Sequence, residues 1–94
     1  MDIFSNIATK IIKEQELIIG PLAWDEARKV SGLVVLDPKT GEVSMSGDPK
    51  EILNKLVSQY ERLFGRASRE VCRDAAMGLI ADLQPAEVPA SLAR

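Results

Sequence analysis

Four arginines in the C-terminal half of the chain have types and spacing that could recognise a ligand. They are Arg62, Arg66, Arg69 and Arg73, which follow one another at intervals of four, three and four residues. Residues three and four apart lie on one side of a helix. Because guanidinium groups bind phosphate in a bidentate manner, the pattern predicts a candidate anion-binding stripe, and with it a possible nucleic-acid-binding module.

A second interpretation treats the same stripe as a solvated, salt-bridged face. Gly65 interrupts the helical pattern inside it, and Glu70 can pair with Arg66 four residues earlier, with Glu61 and Asp74 close by. The net charge of −2 and the pI near 5.1 oppose nucleic-acid binding. The salt-bridged face is therefore the favoured interpretation, and nucleic acid is not the expected partner.

Trp24, the single tryptophan, is a candidate contact for a protein partner. It lies beside Asp25 and Glu26, off the apolar stripe of its short helical segment. Tryptophan is enriched at the energetic centres of interfaces. The alternative is that its indole packs over the hairpin or the first helix, which is the favoured interpretation in a chain with one Trp, one Tyr and two Phe.

Groups suited to catalysis are almost absent from the sequence. The chain has no histidine, which removes the usual general base at neutral pH and the commonest metal ligand. Cys72 lies on the apolar face of its helical pattern, where burial would raise its pKa and make the thiol unreactive. Residues 65–69 lack the glycine spacing and the lysine of a phosphate-binding loop. The sequence therefore predicts a protein that is not an enzyme, with no catalytic residue, cofactor or metal.

Helical patterns flank the middle of the chain. The first runs from about Ile3, after a candidate N-cap at Asp2, to Gly20-Pro21, and a shorter one follows as far as Ser31-Gly32. Asp48-Pro49 is a strong helix start, and that apolar stripe reaches Gly65. A last stripe begins near residue 67 and ends at Pro85.

The segment from Leu33 to Gly47 predicts a β-hairpin with a turn at Pro38-Lys39-Thr40-Gly41. Continuous pairing outward from the turn sets Leu36 against Val43 and Val34 against Met45 on the face toward the helices. The fold class is therefore α+β, a small single domain in α-α-β-β-α-α order with one antiparallel hairpin packed on helices. We expect residues 1–84 to form the domain and 85–94 to form a tail or linker that contains proline and alanine.

Composition limits the remaining classes of function. The chain has 94 residues, 46% of them hydrophobic and 28% charged, which indicates a soluble domain. Its one cysteine cannot form an internal disulfide, and no export signal is seen, so the expected location is the cytoplasm. The isoleucines of the first helix could contact a membrane surface, but a domain this small needs that face for its core.

These observations favour a non-catalytic protein-interaction, regulatory or oligomerisation module. Its first strand is apolar on both faces, and an isolated hairpin is marginally stable. We therefore expect a protein partner or self-association as a homodimer, through the hairpin or an adjacent apolar helix face.

Overall fold

The computed structural model describes residues 2–93, which form four α-helices and one antiparallel hairpin. The helices are α1 (Ile3–Ile19), α2 (Leu22–Ala27), α3 (Pro49–Phe64) and α4 (Arg66–Ile80), and the strands are β1 (Leu33–Asp37) and β2 (Glu42–Met45). Two short 3₁₀ helices follow, Pro85–Glu87 and Ala90–Leu92. The predicted α+β class and element order are confirmed.

Local capping residues set the helix ends. The Asp2 carboxylate accepts a 2.9 Å hydrogen bond from the Ser5 backbone N–H at the start of α1. Asp48 accepts a 3.0 Å bond from the Lys50 N–H at the start of α3. Gly65, with φ of 90°, ends α3 and precedes α4 directly. The Asp2 and Asp48 side chains satisfy backbone N–H groups that the first helical turn leaves without a partner.

The core forms where α1 packs against α4, α3 and the hairpin. Ile7, Ile11 and Ile12 of α1 are fully buried, as are Leu56 and Tyr60 of α3. The isoleucine face of α1 therefore lies in the core, as favoured from sequence. No helix within residues 2–93 is long and apolar enough to cross a membrane.

The hairpin register differs from the predicted one. Asp37 pairs with Glu42 as expected, but the next pair is Val35 with Val43, and Leu36 is left over as a bulge in β1. The prediction that Leu36 lies opposite Val43 is therefore wrong. It assumed an uninterrupted ladder, whereas one extra residue in one strand exchanges the faces of every residue beyond it.

The bulge decides which residues face the helices. Leu33 pairs with Met45 and is 5% exposed, and Val43 is 2% exposed. Val34 and Leu36, predicted to face inward, instead expose 46% and 55% of their surface. The turn lies against α1, where the Thr9 hydroxyl donates a 2.6 Å hydrogen bond to the Gly41 carbonyl oxygen.

Residues 85–93 pack on α3 and α4. Leu92 is 2% exposed and belongs to the core cluster. The Ser91 N–H and hydroxyl both donate to Asn54 Oδ1, at 3.0 and 2.6 Å, and Lys50 Nζ donates to the Ala86 carbonyl at 2.8 Å. The packed unit therefore extends past residue 84, where the sequence analysis placed the end of the domain.

We expect Leu56→Ala to lower the free energy of unfolding by about 2–5 kcal/mol, as large-to-small changes in a core do. Leu56 is fully buried, whereas Leu79 is only partly buried at the edge of the core. Leu79→Ala is the matched comparison and should cost clearly less. Urea unfolding followed by circular dichroism measures both, and equal losses would contradict this placement of the two leucines.

Candidate functional site

Gly65 divides the predicted arginine stripe between two helices. Arg62 lies in the last turn of α3, and Arg66, Arg69 and Arg73 lie on α4. The backbone at Gly65, with φ of 90° and ψ of −178°, is far from helical values. The four side chains therefore do not follow one another along a continuous helix.

Neighbouring polar groups engage three of these arginines. Arg62 Nη2 donates to Gln59 Oε1 at 2.8 Å, and Arg69 Nη1 lies 3.8 Å from Glu61 Oε2. Arg73 Nη1 donates to a Glu70 carboxylate oxygen at 3.0 Å. Glu70 thus pairs with Arg73, not with Arg66 as the spacing suggested. Carboxylates interspersed in this way are typical of a salt-bridged face.

Trp24 lies in the core and is 3% exposed. Its indole Nε1 donates a 2.9 Å hydrogen bond to Glu16 Oε2 of α1. Ala23 and Ala27 of the same helix are also buried, whereas Leu22 is 42% exposed. The buried indole therefore has almost no surface that a partner could contact. Its position agrees with the second interpretation from the sequence, in which it packs inside the domain.

Cys72 is fully buried beside α1. Gln15 Nε2 donates to Cys72 Sγ at 3.4 Å and to the Ser68 carbonyl at 3.0 Å. Burial raises the pKa of the Cys72 thiol from 9.0 to about 11, although the Gln15 hydrogen bond opposes this. A protonated, enclosed thiol is a packing group and not a nucleophile.

A chain of polar contacts joins α2 to α3, and the sequence pattern did not reveal it. Gln59 Nε2 donates to Glu26 Oε1 at 2.8 Å, and Lys29 Nζ donates to Glu26 Oε2 at 3.1 Å. The hydrogen bond from Gln59, with that from Lys29, lowers the pKa of the Glu26 carboxyl. Glu26 and Gln59 are 33 residues apart, so no local spacing could indicate the contact.

The two most exposed of the large apolar side chains within residues 2–93 lie at the C-terminal end of α1. Leu17 exposes 80% of its surface and Ile18 61%. With Val71 and Ala75 of α4 they line a surface cavity of about 500 Å³, here called the α1–α4 groove. This groove was not predicted from the sequence, although Leu17 lies off the stripe of Ile7, Ile11 and Ile12 when 3.6 residues per turn are counted along α1.

Within residues 2–93, no cluster of three or more histidine, cysteine or acidic residues could hold a metal ion. Comparison with protein-family models, with curated proteins and with solved structures finds no match for this chain.

We expect the folded protein to lose stability as the pH rises from about 9 toward 11. Burial raises the pKa of both the Cys72 thiol and the Tyr60 phenol. Both groups ionise more readily in the unfolded chain than in the folded protein. Their contribution to the free energy of unfolding is therefore complete below the unfolded pKa and is lost as the pH rises through the folded pKa.

Thermal unfolding of the protein and of Cys72→Ala, measured across this pH range, tests the expectation. The variant lacks the thiol and should show a shallower decline between about pH 9 and 11. Identical pH dependence of the two proteins would show that the thiol ionises equally in both states.

Proposed function

We propose that the protein is a non-catalytic interaction module that self-associates as a homodimer through the α1–α4 groove. The observation that carries the proposal is the exposure of Leu17 and Ile18, at 80% and 61%. Removing apolar surface from water contributes roughly 25 cal/mol per Å² to the free energy of association. Two large apolar side chains that are exposed next to each other therefore favour burial against a partner.

The charges at the rim of the groove favour a second copy as the partner. Lys10 and Glu14, joined at 3.1 Å on α1, and Asp74 on α4 line the groove beside the apolar residues. A two-fold interface brings the same patch against itself and must be self-complementary. A patch of one sign would repel its copy, whereas one with both signs can pair across the axis.

The outer face of the hairpin is a second surface for the same function. Val34 and Leu36 are exposed there, and because the sheet within residues 2–93 has two strands, each strand has an outer edge. Ser44 lies opposite Val34, which makes this face less apolar than the α1–α4 groove. We therefore assign the dimer contact to the groove.

The cellular location of the protein is part of the same proposal. The only cysteine is buried and has no partner for a disulfide within the chain, so the fold needs no oxidising compartment. We place the module in the cytoplasm.

We expect sedimentation equilibrium to show a monomer–dimer equilibrium between micromolar and millimolar concentration. Leu17→Glu should shift the protein to the 10.3 kDa monomer, because it places a carboxylate in the apolar centre of the contact. Leu36→Glu makes the same chemical change on the hairpin and should leave the equilibrium unchanged.

The same pair of variants shows how the assignment could fail. A monomer at every concentration would remove self-association altogether. A dimer that is lost in Leu36→Glu but kept in Leu17→Glu would assign the contact to the hairpin.

A further inference from the structure

A second groove lies between the end of α2 and the middle of α3, away from the α1–α4 groove. Three cationic side chains line it, and its volume is about 470 Å³. They are Lys29, after α2, and Lys55 and Arg62, on α3. Hydroxyl and amide groups of Ser58 and Asn54 lie in the same wall. We call this the cationic groove.

Two of the three cations are held in place by the polar chain that joins α2 to α3. Lys29 donates to Glu26 at 3.1 Å, Gln59 donates to Glu26 at 2.8 Å, and Arg62 donates to Gln59 at 2.8 Å. Glu26 is 6% exposed and anchors the array. Because these bonds orient Lys29 and Arg62 beforehand, less conformational entropy is lost when a ligand binds.

The groove is positive although the whole protein is acidic. Among residues 2–93, three cations and no carboxylate line the groove, and Lys29 is paired with Glu26, while the chain carries a net charge of −2. Within residues 2–93, no ion pair within 4.0 Å involves Lys55. Part of the local positive charge is therefore available to an incoming anion.

We infer that the cationic groove binds a small anion that carries phosphate groups. A guanidinium and two ammonium groups are the donors that proteins use for phosphate oxygens, and Ser58 and Asn54 can add neutral hydrogen bonds. The volume is within the range of small-ligand sites. Among the described residues no aromatic side chain lines the groove, so a nucleobase would gain nothing by stacking there.

This site differs from the arginine stripe considered from the sequence. It uses Arg62 alone of those four residues and combines it with two lysines that the stripe did not include. The contact between α2 and α3 brings them together.

The inference is tested by titrating the ¹⁵N-labelled protein with sodium pyrophosphate at low ionic strength and following the NMR signals of residues 54–62. We expect saturable shifts that weaken with added salt, because the groove is open to solvent. The double variant Lys55→Gln/Arg62→Gln should bind about tenfold more weakly or worse, as expected for the loss of two charge-assisted hydrogen bonds.

The matched control is Lys39→Gln/Arg66→Gln, which removes the same charge from exposed positions outside the groove. It should bind pyrophosphate within about twofold of the unchanged protein, since distant surface charges are screened. ADP serves as a second probe. Equal affinity for pyrophosphate and ADP would show that the groove recognises the phosphate groups alone. Tighter binding of ADP, if the Lys55→Gln/Arg62→Gln variant abolishes it, would show that the phosphate-bearing ligand is a nucleotide.

Two results would overturn the inference. One is the absence of saturable shifts beyond those that sodium chloride of equal ionic strength produces. The other is an equal loss of affinity in the groove variant and the control, which would show attraction to net charge and not to this groove. Dimerisation does not enter either readout, because the Leu17→Glu variant retains the cationic groove and can be titrated in the same way.

Discussion

Burial of the apolar face of α1 is the constraint on which the rest of the structure depends. The helices α2, α3 and α4 and strand β2 all contact α1, and its isoleucines at 7, 11 and 12 are completely enclosed. Burying one such side chain contributes about 1.5–3 kcal/mol, so three of them are a large share of the stability of a 94-residue domain. The helix is thus the common support on which the other elements are arranged.

Single polar contacts fix how those elements are placed on α1. Thr9 holds the turn of the hairpin through the Gly41 carbonyl, and Gln15 reaches α4 through the Ser68 carbonyl. Tyr60 donates to the Ala23 carbonyl at 2.7 Å and so joins α3 to α2. Apolar packing has little directional preference, whereas a buried donor needs one particular acceptor, so these bonds select one arrangement among similar packings.

The two surfaces proposed for function arise from the same arrangement. The isoleucine stripe leaves Leu17 outside the core, at the edge of the contact between α1 and α4, where nothing within residues 2–93 covers it. The packing of α2 on α3 brings Lys29 to the side of Lys55 and Arg62. One surface is apolar with mixed charges at its rim, and the other is polar and positive. They suit different partners and lie on different pairs of helices.

The order of the elements and the helix ends at Asp2, Asp48 and Gly65 were determined by the sequence, because each depends on interactions within a few residues. The ends of α2 at Ala27 and of α4 at Ile80 come earlier than the predicted ends at Ser31-Gly32 and Pro85. Asp2, Asp48 and Gly65 act on adjacent backbone groups, and Pro38 and Gly41 select the turn. The tertiary structure alone decided the bulge at Leu36 and the packing of Leu92 on the core. Both depend on which surfaces meet between segments that are far apart in the chain. The Glu26–Gln59 contact that orders the cationic groove likewise joins residues far apart in the chain. The pattern of residues along the chain does not indicate which distant surface a side chain will contact.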